Sequence, residues 1–285
     1  MRLDENSKVL IVGLGLMGGS YAKALKRWGF HVTAISDQQS SIDYALQEGI
    51  IVDGSTEVDH ALIAEADLII FGLYPTTFLH WIKTYAHLIR PRTLVTDITG
   101  VKSCLVREVQ SYMPKGVEFI AAHPMAGREV SGVENSDSRI FQGANYIVVP
   151  TETNTPEAIE SCKRLGKFLG FERISVLSPE EHDEMIGFVS QLTHCIAVSL
   201  MTCSDSHHLV DYTGDSFRDL TRIARINDVL WSELFLMNKS ALLRQMDKFL
   251  EEFSSLRDML AQDDREGMQA KMRLSTERRS WFDQK

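Results

Sequence analysis

The sequence predicts an α/β Rossmann-type nucleotide-binding domain over residues 1–177, followed by an all-α helical domain over 178–285 that carries substrate and dimer contacts. Three observations carry this. Short apolar runs alternate with helical patterns through the first part of the chain. A glycine-rich loop follows the first of those runs. All seven prolines and fifteen of the eighteen glycines lie at or before Pro179, so turns concentrate early and helices late.

Taken in order, strands are expected at 8–13 ("KVLIVG"), 30–36 and 66–73, each followed by a helical pattern at 20–28, 40–48 and 76–89. Further strand-like runs sit at 92–98, 117–122, 144–150 and 171–177. Strands that are apolar at nearly every position belong to a mostly parallel sheet covered on both faces. At "SPEEHD" (178–183) the pattern changes. Ser178 suits an N-cap, Pro179 the first helical position, and Glu181 completes a capping box. An apolar-periodic stretch runs on through 184–203, and helical patterns return at 216–225, 228–260 and 264–282. Apolar helices of this kind need a partner to cover them, so a homodimer is expected.

The loop "VLIVGLGLMGGS" (9–20) places Gly13-x-Gly15-x-x-Gly18 between a strand and a helix. There the first glycine permits the tight turn, the second lets backbone approach a pyrophosphate, and the third allows close packing. The free N–H groups of the helix would meet the phosphates. Asp37 lies nineteen residues after Gly18, near the spacing of the acid that holds the adenosine ribose; a turn residue or helix cap would look the same. No Arg or Lys follows it in "DQQSSIDYA" to receive a 2′-phosphate, which favours NAD over NADP.

With 44% hydrophobic residues the 285-residue chain can build one large or two ordinary cores. Its net charge of −9 argues against nucleic acid or an anionic membrane as partner. The four cysteines (104, 162, 195, 203) show no CxxC spacing, so neither a disulfide framework nor a zinc site is suggested. There is no signal-peptide pattern, and the longest apolar run, "LIIFGLY" (68–74), is too short to span a bilayer. A soluble, cytoplasmic protein is expected. His123, in "AAHPMAGRE" (121–129), ends one apolar run and should project from the carboxyl edge of the sheet, where such folds bind ligands. A hydrogen-bonded histidine near a turn is the plainer reading.

The segments "GLGLMGGS", "HPMAGREVSGVE" (123–134), "SPEEHDEMIGFVSQLTH" (178–194) and "SFRDLTRIARINDVLW" (216–231) together resemble the prephenate dehydrogenase family, in this order and over nearly the whole chain. The resemblance implies oxidation of prephenate with a nicotinamide cofactor and loss of CO2, giving 4-hydroxyphenylpyruvate on the route to tyrosine. It makes His123 the catalytic histidine and Arg222 the arginine for a substrate carboxylate. It places His194, Arg218, Glu129 and Gln191 on the substrate side, with Asp219 near the entrance and Trp231 at a family aromatic position. For NAD it implies Gly13, Gly15, Leu16, Met17, Gly18, Asp37 and Thr99. Arg218 and Arg222, four apart, would share a helix face with a dicarboxylate between them. The regulatory ACT domain and fused chorismate mutase of some members look absent.

Two departures stand out. In "TDITGVK" (96–102) the family's serine falls on Gly100, leaving Thr99 or water to replace its hydroxyl. Gln191 stands where many members have a second histidine. Both leave prephenate and arogenate open as substrates. Among other nicotinamide enzymes, a β-hydroxyacid dehydrogenase would need a lysine early in the first helix of its second domain, and residues 178–200 contain none. A non-enzymatic NAD sensor would need no catalytic histidine at a strand end.

Overall fold

The computed structural model describes residues 3–283. Six parallel strands form the main sheet: β1 (Lys8–Val12), β2 (His31–Ile35), β3 (Asp53–Ser55), β4 (Leu68–Phe71), β5 (Leu94–Asp97) and β6 (Glu118–Phe119). Their order is β3-β2-β1-β4-β5-β6. Side chains alternate across it. Val9, Ile11, Val32, Ala34, Leu68 and Ile70 enter one core. Leu10, Val12, Ile35, Ile69, Phe71 and Val95 enter the other. Both faces being buried is why the strand sequences read as unbroken apolar runs.

Helices α1 (Leu16–Lys26), α2 (Gln39–Gln47), α3 (His60–Glu65), α4 (Pro75–Tyr85) and α5 (Val106–Ser111) make the crossovers. β3, α3 and α5 were not foreseen, since three to six residues are too short to show a period.

The single run expected at 117–122 is corrected to two strands in two sheets. β6 ends the main sheet, and β7 (Ala121–Met125) opens a second one with β8 (Asn145–Val149) and β9 (Arg173–Val176). β7 and β8 are antiparallel, with His123 opposite Ile147; β8 and β9 are parallel, linked by α6 (Pro156–Leu169). His123 is therefore a mid-strand residue rather than a strand end. It still lies beyond the carboxyl end of β5, because the last residue of that strand, Asp97, accepts the Ala122 amide at 3.2 Å.

The capping box forms as read: Ser178 Oγ accepts the Glu181 amide, and Glu181 accepts the Ser178 amide. It starts α7 (Pro179–Ile186), which passes through a π-helical turn, Gly187–Leu192, into α8 (Thr193–Thr202). α9 (Asp215–Thr221) ends in the short turn Arg222–Ala224, and α10 (Asp228–Met237) follows. The chain divides into two compact units at Asn238/Lys239, inside the stretch read as one helix. The second unit holds α11 (Lys239–Ala261) and α12 (Arg265–Ser280), joined by Lys271 and Glu252 at 2.6 Å.

One expectation about apolar length is corrected. The continuous helix Pro179–Thr202 is long and apolar enough to cross a bilayer by length and composition, with mean hydropathy 1.4 and 28% of that window buried. Isolated polar residues such as Ser190, Gln191 and His194 punctuate the segment, so no unbroken apolar run marks it.

Candidate active site

The glycine loop has the geometry its spacing implies. Gly13 has φ +98°, and a Cβ there would meet the Gly72 carbonyl oxygen at 2.6 Å. A Cβ on Gly18 would strike the Gly13 oxygen at 2.0 Å, so only glycine fits either position. Gly15 differs: nothing lies within 4 Å of a Cβ placed on it. That open space sits at the N-terminus of α1, which has no side-chain cap and no acidic residue in its first turn. Uncapped N–H groups beside an open cradle suit a pyrophosphate. Leu16 and Met17 form the first turn of α1, and Asp37 is exposed two residues beyond β2. Thr99, by contrast, is buried, with its hydroxyl engaged by Asp97 and the Val101 carbonyl. It turns inward because Asp97 and Lys102 need its polar atoms, so it offers neither the missing serine hydroxyl nor a cofactor contact from its side chain.

His123 heads a chain of buried polar groups. Its Nδ1 is 2.9 Å from His182 Nε2, and His182 Nδ1 is 2.7 Å from Asp183 Oδ1. Asp183 is fixed in turn: Oδ1 accepts the Lys102 amide at 2.9 Å and Oδ2 the Ser103 amide at 2.8 Å. The other nitrogen of His123, Nε2, looks toward Gly100, where a Cβ would lie 3.8 Å away and 3.4 Å from Leu234. Desolvation, then the neighbouring His182 and Lys102, hold the His123 pKa well below that of an ordinary imidazole. Burial likewise lowers His182, against the pull of Asp183.

Beneath His123 the Lys102 ammonium is fully buried. It donates to Asp97 Oδ2 and to the Ala122 carbonyl, each at 2.7 Å, and lies 3.2 Å from Thr99 Oγ1. It thereby grips the peptide just before His123. Burial pulls its pKa down and Asp97 opposes this.

On the other side, His194 stacks on Trp231 with centroids 3.6 Å apart, and its Nδ1 bonds the Ser190 carbonyl of the π-helical turn. Desolvation lowers its pKa; Glu129 and Arg222 act on it in opposite senses. Glu129, from the loop after β7, pairs with Arg222 at 2.5 Å. Arg218 is not gathered with them. It pairs with Asp215 at 2.5 Å, three residues earlier on α9, while Arg222, in the short turn after that helix, pairs with Glu129. Gln191 is also placed differently: buried, it donates to the Leu234 carbonyl and accepts from Asn238, tying the π-helical turn to α10. Lys102, Asp97, His182 and Asp183 escaped the sequence reading, although "HD" directly after the capping box and the lysine ending "TDITGVK" were visible signals.

Two family models match the chain: the prephenate dehydrogenase nucleotide-binding domain over residues 21–174 and the prephenate dehydrogenase dimerization domain over 178–274. The chain belongs to the prephenate dehydrogenase family. Within the family, prephenate dehydrogenase of Bacillus subtilis is 30% identical over 270 residues, 91% of this chain and 72% of that protein. Cyclohexadienyl dehydrogenase of Zymomonas mobilis is 26% identical over 94% of this chain and 96% of its own length. The crystal structure of Aquifex aeolicus prephenate dehydrogenase, in complex with hydroxyphenyl propionate and NAD+, superimposes with a TM-score of 0.89. It covers 99% of this chain and 100% of that one at 29% identity.

Proposed function

We propose that the chain catalyses the NAD-dependent oxidative decarboxylation of prephenate to 4-hydroxyphenylpyruvate, with His123 as its proton acceptor. The observation that carries this reading is His123 itself. Its Nδ1 is committed to His182, while Nε2 faces the bare Gly100 position beyond the carboxyl end of the sheet.

Bound NAD would supply the hydride acceptor, held by Gly13, Gly15, Leu16, Met17 and Gly18, with Asp37 at the ribose. His123 Nε2 takes the ring hydroxyl proton during oxidation and returns it to the same oxygen once loss of CO2 makes the ring aromatic. The proton account closes on one nitrogen, so no exit path is needed. Arg222 holds a carboxylate, His194 and Trp231 present a flat wall to the ring, and Gln191 acts indirectly by fixing the helix that carries Leu234. The 177/178 boundary then separates nucleotide-holding from mainly substrate-holding sequence.

The deciding assay follows NADH formation with prephenate. Turnover is expected, with NADP a poorer cofactor because Asp37 repels a 2′-phosphate. No turnover of prephenate or arogenate would reject the reading. Arogenate is a second substrate for a specific reason: a substrate carboxylate on Arg222 would release Glu129 to meet an ammonium group.

Arg222→Ala is expected to raise the prephenate KM. A charged hydrogen bond is worth about 1.5–3 kcal/mol, or about 10–200-fold, and an arginine side chain 66% exposed places the effect near the lower end. Arg222→Lys should recover part, lacking the forked contact. A KM within twofold of wild type would make the Glu129 pair purely structural.

The assembly we propose is a homodimer through the helices after residue 178, where Phe188, Leu220, Val229 and Leu236 are 57–71% exposed in the single chain. Light scattering at micromolar concentration should give twice the 32.2 kDa chain mass; a monomer mass would exclude it.

A further inference from the structure

We infer that His182 is a positioning residue that locks His123 in the tautomer with a bare Nε2, and that the His123–His182–Asp183 chain does not conduct the proton. The inference rests on the proposed role of His123 and deepens it.

The direction of every hydrogen bond follows from the far end. Asp183 is tied by two backbone amides and a histidine, and an ionised carboxylate can only accept. Its pKa is lowered: burial opposes ionisation, but the His182 bond and the Ser103 amide prevail. His182 Nδ1 must then carry the hydrogen that reaches Asp183. With both rings neutral, His182 Nε2 is left as an acceptor, and it lies 2.9 Å from His123 Nδ1. His123 Nδ1 must therefore donate. The nitrogen of the pair remaining with a free lone pair is His123 Nε2, which lies 3.8 Å from the place a Gly100 Cβ would occupy.

This lock carries particular weight in this chain. Gly100 brings no side chain to Nε2, and the Thr99 hydroxyl is spent on Asp97 and the Val101 carbonyl. Orientation must come through Nδ1 instead. The backbone contributes as well, since Lys102 holds the Ala122 carbonyl beside His123. Conduction through the whole chain would require Asp183 to take a proton while three donors and a nearby Lys102 ammonium favour its anion. The charged or titratable groups bearing on the two rings are Lys102, Asp97 and Asp183, besides each other.

Two variants separate the bonds of His182. His182→Asn keeps a donor near Asp183 but leaves His123 Nδ1 unpartnered. His182→Gln places an amide oxygen where Nε2 stood. If the lock operates, Asn lowers kcat by about 10–100-fold, a fraction of what the orienting carboxylate of a catalytic triad can contribute. The prephenate KM stays within threefold. The acid limb of the kcat profile shifts, because the titrating ring that faces His123 Nδ1 is gone. Gln restores at least half of the logarithmic loss. A residue that only filled space would change melting temperature and leave the pH limb in place.

A readout independent of turnover keeps the two claims apart. Nitrogen-15 spectra of histidine-labelled wild type, assigned with His123→Asn, should show the His123 proton on Nδ1, and His182→Asn should shift it toward Nε2. Inactive protein with this signature would overturn the proposed reaction and leave the lock standing. A His123 proton already on Nε2 in wild type, or an Asn variant with unchanged kcat and acid limb, would overturn the lock.

Discussion

His123→Asn is expected to lower kcat by about 10²–10⁴-fold, the span of general acid–base assistance, with little change in NAD affinity. Asparagine keeps a hydrogen-bonding group near Nδ1, so the bond to His182 can persist while the base is lost. The nucleotide loop lies on other elements and should not feel the change. Steady-state rates with prephenate measure the first effect, and NADH fluorescence titration the second. More than half of wild-type kcat in the variant would return His123 to a structural role. The wild-type profile carries its own expectation. Because desolvation, His182 and Lys102 hold the His123 pKa well below 6.5, the imidazole stays neutral below that pH and activity should persist there. Stability behaves in the linked sense. Both His123 and His182 have lowered pKa values in the fold, so the unfolded chain binds more protons in acid. Their stabilising effect is present above pH about 6.5 and is lost as pH falls toward the folded-state values.

The nucleotide half was legible because its signals are local. Gly13 and Gly18 are demanded by contacts within the loop and with the nearby Gly72, Gly15 keeps its spacing between them, and the apolar strands announce a sheet buried on both faces. Ser178 and Glu181 were equally readable, since a capping box spans four residues. What sequence could not show was the pairing of distant groups. His182 reaches His123 across 59 positions, and Lys102 reaches Ala122 across 20. A histidine after a helix cap reads as surface, and a lysine at a strand end reads as solvated, until the fold removes water from both. Arg218 shows the opposite case. Helical spacing put it beside Arg222, but α9 stops between them and Asp215 was the nearer partner. Gln191 matched a family position, yet its amide is used inside the protein.

Lys102→Met should be the most destabilising of the single substitutions considered. Both members of the Lys102–Asp97 pair have side chains at most 1% exposed, and their atoms lie 2.7 Å apart. Removing one partner of a buried pair leaves an uncompensated charge and costs about 3–5 kcal/mol. Asp97 would keep the Thr99 and Ala122 amides, which places the loss toward the lower figure. At about 2–4 °C per kcal/mol for a domain of this size, the melting temperature should fall by roughly 10 °C. Calorimetry at pH 7 measures it. The double variant Lys102→Met with Asp97→Asn should recover part of that loss, because a neutral amide is easier to bury than a carboxylate. Recovery of stability should not bring recovery of kcat. The Ala122 carbonyl would still lack its ammonium partner, and the peptide that carries His123 would be held less firmly. A single variant that melts within 2 °C of wild type would mean that water or a side-chain rearrangement replaces the ammonium, and that Asp97 alone suffices to join the two sheets.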